Sequence, residues 1–161
     1  MKIGILSDTH SFLHPSIPDM LKGCDLILHA GDVGDLKILD TLAEIAPLKA
    51  VWGNIDGAEM RRLVPEHQRF IVEGCRIWMT HIGGHPKKWD KRVAETLKQE
   101  RPDIFICGHS HILRIERVTE LGNMLFLNPG ACGNQGWHKV KTCVRLTIEN
   151  GKAMQAEVIE L

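Results

Sequence analysis

The sequence predicts an α/β fold, and three observations carry that prediction. Residues 2–7, 25–30 and 48–52 are short apolar runs rich in β-formers, each followed by an Asp or a Gly. Segments with helical spacing separate them. Side chains suited to metal ions or catalysis collect just beyond the runs rather than within them. An alternating β-α-β-α-β order implies right-handed crossovers and a parallel sheet. In such sheets ligands bind at the carboxyl ends of the strands.

The elements follow in order. The run at 2–7 reads as a buried strand ending at Asp8. Ile17, Met20 and Leu21 could line one face of a short helix that stops at Gly23. The run at 25–30 is the second strand. Asp35 then opens an amphipathic helix, with Leu36, Leu39, Leu42, Ala43 and Ala46 at helical spacing and Pro47 as its stop. Leu48–Trp52 is the third strand. Farther on, Arg69–Val72 and Arg76–Met79 flank Glu73-Gly74 as a hairpin. Residues 89–100 read as a helix closed by Pro102, and 103–107 as an apolar strand. Residues 112–118, 124–127, 142–149 and 153–159 read as antiparallel strands, with Asn150-Gly151 a hairpin turn. No repeat or linker interrupts the chain, so residues 1–161 are taken as a single domain.

Composition narrows the function classes. Formal net charge is zero, so no global field draws the chain to nucleic acid or to an anionic membrane. No apolar stretch approaches the roughly 20 residues of a membrane span. The N-terminal run reaches Asp8 too soon for a signal-peptide core. The five cysteines are odd in number and form no C-x-x-C pair, which fits a reduced, cytoplasmic protein. No P-loop and no G-x-S-x-G elbow is present.

The chemistry-bearing residues fall in five clusters, each where a strand should end: Asp8 and His10, Asp32, Asn54, His81, and the pair His109 and His111. Taken singly, Asp8 or Asp32 reads as a turn or cap residue, Asn54 as half of a Gly-Asn turn, and His81 as a hydrogen-bonded histidine. Their joint placement in the right topological order argues for a shared site. Three oxygen-type and four imidazole donors are about what two hard-to-borderline metal ions need. His85, after Gly83-Gly84, is a candidate substrate contact. His29 is a candidate supporting donor. His14, His67 and His138 have no partner pattern.

At these motifs the sequence resembles the calcineurin-like metallophosphoesterases, and most closely their small bacterial and archaeal YfcE-like phosphodiesterase branch. The motifs are Asp8-Thr9-His10, Gly31-Asp32, Gly53-Asn54-Ile55-Asp56, His81 and Gly108-His109-Ser110-His111, followed by Asn128-Pro129-Gly130. The resemblance implies a four-layer α/β/β/α sandwich of two mixed β-sheets flanked by helices. It also implies two divalent metal ions, Mn²⁺ first, with Ni²⁺, Zn²⁺, Fe²⁺ or Mg²⁺ as alternatives. By motif position, Asp8, His10 and His111 would hold one ion, Asn54, His81 and His109 the other, and Asp32 would bridge them. Asp56 would orient a ligand or water. Many members carry a histidine after the Asn of Gly-Asn; here Ile55 stands there and cannot transfer a proton.

The expected activity is hydrolysis of small phosphate esters, phosphodiesters above all, by a hydroxide shared between two ions. Two alternatives remain open. One is a non-catalytic, retromer-subunit-like protein-binding module on the same fold. The other is a nuclease or cyclic-nucleotide phosphodiesterase, although long nucleic acid is disfavoured by the neutral charge and the scarcity of aromatics. Whether the chain forms a homo-oligomer is left open.

Overall fold

Strand β1 (Lys2–Leu6) is the centre from which the architecture grows in this computed structural model, which describes residues 1–161. It pairs in parallel with β2 (Leu26–His29), which pairs in parallel with β3 (Leu48–Ala50). The crossovers carry α1 (Ile17–Met20) and α2 (Lys37–Ile45). A short helix, α3 (Ala58–Leu63), then leads to the hairpin of β4 (His67–Val72) and β5 (Cys75–Thr80). A two-residue ribbon, β6 (Gly84–His85) and β7 (Lys88–Trp89), precedes α4 (Ala94–Glu100). The chain continues through β8 (Ile104–Ile106), β9 (Leu113–Val118), β10 (Met124–Pro129), β11 (Thr142–Glu149) and β12 (Lys152–Glu160).

These strands make two five-stranded mixed sheets, ordered β12-β11-β1-β2-β3 and β4-β5-β8-β10-β9. Alternation along the strands explains the layers. Ile3, Ile5, Leu26 and Leu28 face Ile77, Met79, Ile104, Ile106, Leu125 and Leu127 across a shared apolar core. The other faces bury a second set. Leu6 and Ile27 pack with Ile38 and Leu42 of α2, while Trp78, Phe105 and Phe126 pack with Val93 and Leu97 around α4. Strands buried on both faces read as continuous apolar runs, which is why periodicity alone left them short and unalternating. The result is the four-layer α/β/β/α sandwich.

Several boundaries differ from the sequence reading. Met20 is exposed, and the buried pair of that turn is Ile17 and Leu21. Helix α2 starts at Lys37, whose N–H is accepted by Asp35 Oδ1, so Asp35 acts just ahead of the helix. The expected helix at 89–100 begins only at Ala94. Trp89 belongs to the β6–β7 ribbon and packs edge-on against Phe105 and Phe126. Asp90 ends the ribbon, and its carbonyl accepts the N–H groups of Val93 and Ala94. Helix α3 was not anticipated, because Met60 is its one buried residue and its pattern carries no apolar stripe. In the second half β9 and β10 pair antiparallel as expected, and β10 also pairs in parallel with β8, which pairs in parallel with β5; the crossover from β8 to β10 runs through β9.

The aromatic layer gives a direct stability test. Phe105 is fully buried, with ring centroids of Trp78 at 5.0 Å and Trp89 at 5.8 Å. Phe105→Ala should cost roughly 3–5 kcal/mol of unfolding free energy. Urea unfolding of both proteins measures it, and a loss below about 1 kcal/mol would mean that the ring cluster is loosely packed.

Candidate metal centre

Each clustered residue leaves its strand at the carboxyl end: Asp8 after β1, Asp32 after β2, Asn54 after β3, His81 after β5, and His109 and His111 after β8. The backbone there is unusual. Asp8, His10, Asp32, His109 and His111 all have positive φ, between 46° and 69°. Left-handed geometry at non-glycine residues costs about 1–3 kcal/mol each and persists only where surrounding contacts over-determine it. Those contacts are explicit. Asp8 N–H donates to Gly31 O and His10 N–H to Asp32 O, while Gly108 N–H donates to His81 O and Gly133 N–H to Asp8 O. The loops therefore hold one another, and the sharp turns bring side chains from both sheets to one place.

Two groups of donors result. Asp8, His10 and His111 form one, and Asp32, His81 and His109 the other, with one donor atom of each residue lying within 4.8 Å of the others in its group. The groups interlock. His10 Nε2 is 3.5 Å from Asp32 Oδ2, and His81 Nε2 is 3.8 Å from Asp8 Oδ1 and 3.2 Å from Asp32 Oδ2. Asp32 Oδ2 thus lies between the two sets. Asn54 lines a small pocket with Trp52, Gly53 and His81, and its side chain makes no hydrogen bond.

Backbone donors fix which atoms point inward. The Asp32 Oδ1 atom accepts the Ile55 N–H at 3.0 Å, which leaves Oδ2 for the cluster. Asp8 Oδ2 accepts the His109 N–H at 3.1 Å, which leaves Oδ1. His81 Nδ1–H donates to Ala30 O at 2.7 Å, so the neutral ring presents its Nε2 lone pair. Gly53 is required by space: a Cβ there would stand 2.1 Å from Asp32 Oδ1 and 2.7 Å from His81 Cδ2.

The inward atoms lack partners. Asp8 Oδ1, His10 Nε2 and His81 Nε2 are buried with no hydrogen bond. Lone pairs and carboxylate oxygens facing each other at 3–4 Å repel unless a proton or a cation stands between them. The electrostatics of the cluster carry the same demand. Burial opposes ionisation of Asp8, yet the imidazoles of His10, His111 and His81 outweigh it and hold the carboxyl well below its ordinary value. Asp32 behaves alike: burial opposes its ionisation, and His81 and the Ile55 N–H lower it. His111 is raised by the Asp8 carboxylate 3.2 Å from its Nε2, and His81, which burial alone would lower, is raised by Asp32 and Asp8. His109 is lowered, by burial first and by His81 next. The donor set therefore fits divalent cations, for which protons otherwise substitute.

Other residues take different places. Asp56 is buried, but its carboxylate accepts the N–H groups of Gly53, Val33 and Gly34 at 2.8, 3.1 and 2.8 Å. It ties the Asp32 loop to the Asn54 loop through main-chain N–H groups rather than through the donor side chains. His85 is exposed on the β6–β7 ribbon, where its ring bonds to Pro86 O. Residues outside the donor set also shape the site, among them His29, the candidate supporting donor. Thr9 Oγ1 donates to Val33 O at 2.9 Å and accepts from His29 Nε2 at 3.0 Å, while His29 Nδ1 accepts the Gly31 N–H. Asn128 Nδ2 holds Gly108 O and Ser110 Oγ, setting the turn that carries His109 and His111. His138 stands edge-on to His111, with centroids 5.3 Å apart. Nothing local in the sequence marks that last contact, since 27 positions separate the two residues.

A sandwich with a His/Asp cluster at its shared strand edge defines a class of metal-using proteins. Residues 1–151 match the calcineurin-like phosphoesterase superfamily domain, and the chain belongs to that superfamily. A probable metallophosphoesterase of Methanothermobacter thermautotrophicus is 33% identical over 139 residues, which are 81% of this chain and 77% of that protein. A phosphodiesterase of Methanocaldococcus jannaschii is 27% identical over 150 residues, covering 82% and 84%. Vps29 from Chaetomium thermophilum superposes with a TM-score of 0.77 at 18% identity, over 100% of this chain and 97% of that one, a likeness of fold. No helix is long and apolar enough to cross a membrane.

His29 gives the pH test. Burial lowers it from 6.5 to about 4 in the fold. As pH falls below 6.5 the unfolded chain takes up a proton that the folded chain refuses, so stability falls from pH 6.5 toward about 4. Above 6.5 the group is neutral in both states and contributes no slope. His29→Asn should remove this component. Denaturant midpoints of the metal-free proteins across that range check it, and parallel curves would place a charged His29 in the fold.

Proposed function

We propose that the protein is a divalent-metal-dependent phosphoesterase that hydrolyses phosphodiesters or activated phosphate esters at a two-ion centre. The observation that supports it most is the set of buried, unpartnered acceptors, Asp8 Oδ1, His10 Nε2 and His81 Nε2, aimed at one another from two sheets. Asp8, His10 and His111 would hold one ion, and Asn54, His81 and His109 the other. Asp32 Oδ2, between the groups, would serve both. Bound ions of this kind neutralise phosphoryl charge and activate water for in-line attack. Asn54, a neutral ligand, would leave more net positive charge for the phosphate than a carboxylate. Asp56 would act as a positioning residue through the loops it ties. The phosphodiesterase relative supports diesters as the substrate class.

A protein-binding module on this fold is the competing reading. A Vps29 from Entamoeba histolytica has been solved in complex with Zn²⁺, so metal-dependent hydrolysis rather than metal binding alone separates the two. Chelator should abolish hydrolysis and Mn²⁺ should restore it, with Asp32→Asn among the most damaging single changes. Saturating metal should also raise the unfolding temperature, because the ions bind the folded chain alone. Full turnover in metal-free protein, or melting curves indifferent to metal, would remove the two-ion reading.

Ile55 sets the leaving-group test. Its N–H is committed to Asp32, while its side chain is 46% exposed and carries no proton. Rates should therefore fall steeply as leaving-group pKa rises. Ile55→His should flatten that dependence, by far less than the ~10²–10⁴-fold of an optimally placed acid, since the graft has no supporting contacts. Esters of graded leaving-group pKa, assayed on both proteins at equal metal content, measure it. Parallel plots would mean that position 55 does not face the leaving group. A flat native plot would point to another acid, with His85 the first to replace.

A further inference from the structure

Beside the donor cluster lies an open groove of ≈ 490 Å³ whose walls include His109, His111, Ile112 and Trp137. Its volume falls in the range of small-molecule sites. Two of these lining residues are apolar and bare: Trp137 is 102% exposed and Ile112 65%. The segment carrying Trp137 is anchored to the site on both sides of a turn. Gly133 N–H donates to Asp8 O, and His138 Nε2 bonds to Gly133 O at 2.9 Å. Between them Gly136, at φ +116°, passes so close to His111 that a Cβ would stand 2.2 Å from its Nδ1. Trp137 is thus held next to the metal centre by a turn that only glycine permits.

The other three tryptophans are engaged. Trp78 is buried, Trp89 packs on Phe105 and Phe126, and Trp52 lies under the Arg61 guanidinium at 4.1 Å. Trp137 alone offers a free indole face. One platform continuous with the site suits one planar ring. A nucleic-acid strand needs successive platforms and a basic track, and the exposed indole has no second ring beside it.

Resting on the phosphoesterase reading above, we infer that Trp137 and Ile112 form a subsite for one planar aromatic substituent of the phosphate ester, an aryl group or a single nucleobase. The phosphoryl end sits at His109 and His111, and the ring lies on the indole. Stacking on Trp137 makes aromatic esters preferred over aliphatic esters of the same size.

The test is direct binding, by calorimetry on Mn²⁺-loaded protein, of phenylphosphonate and cyclohexylphosphonate, which share a head group and differ in planarity. The native protein should bind the phenyl compound roughly tenfold tighter, the scale of one base–aromatic stack. Trp137→Ala should bring the ratio near one, and Trp137→Phe should retain most of it. Equal affinities in the native protein, or a preference that survives Trp137→Ala, would overturn the subsite while leaving the phosphoesterase reading intact. If neither phosphonate binds and no ester is hydrolysed, both readings fall. Sedimentation of the same proteins covers the other occupant: a dimer lost on Trp137→Ala would make this face a contact between copies and overturn the proposal.

Discussion

Everything at the edge of the sandwich depends on two buried carboxylates, Asp8 and Asp32, set among imidazoles without enough protons to go round. Each carboxylate has one oxygen tied by a backbone N–H and one left to the cluster. That division is the constraint from which the rest follows. Backbone amides supply directional hydrogen bonds without adding a positive side chain, so the free oxygens stay electron-rich and close to the histidine lone pairs. A lysine or arginine in the same place would neutralise the cluster and remove its demand for a cation. Among the described side chains, no Lys or Arg forms an ion pair with Asp8 or Asp32; their ion-pair partners are histidines alone.

Holding such a cluster requires a backbone that does not relax. Five donors sit at positive φ, and each would fall back to ordinary geometry if its loop were free. The loops are not free because they hydrogen-bond to each other rather than to solvent, and because Asp56 and Thr9 fill the spaces between them with bonds to main-chain groups. The two apolar layers behind the edge then fix the relative height of the sheets. The centre is thus assembled across the interface between sheets: Asp8, His10, Asp32 and Asn54 come from one, and His81, His109 and His111 from the other. Slippage between the sheets would separate the groups before it exposed much core.

This division explains what the sequence could reveal. The βαβαβ start was legible because buried parallel strands and an amphipathic α2 leave clear apolar patterns, and three of the five clusters stood where those strands ended, the other two following β5 and β8. The supporting parts were not legible, because their work is done by main-chain atoms. From the sequence Asp56 is expected to orient a ligand or water, and only the three amides converging on its carboxylate show that it ties loops instead. Trp89 kept a helical spacing with Val93 and Leu97, yet the Gly83-Gly84 pair and the ring packing against Phe105 put it in a ribbon. His138 could not be found at all, since its partner lies on another element and a left-handed glycine turn brings it there.

The division of labour between main chain and side chain also bears on how such a site tolerates change. Substituting a donor leaves the loops intact, because the amides that orient its neighbours remain; the loss falls on the centre and little on the fold. Substituting Asp56 does the reverse: three buried N–H groups lose their acceptor at once, and an unmet buried donor costs about 1–3 kcal/mol. The loops of Asp32 and Asn54 would drift apart although every donor was still present. Positions outside the donor cluster therefore control its geometry as strictly as the donors themselves. Trp137 lies outside both sets, on a turn fastened to the edge but fully exposed, so a substitution there would disturb neither the cluster nor the loops that hold it.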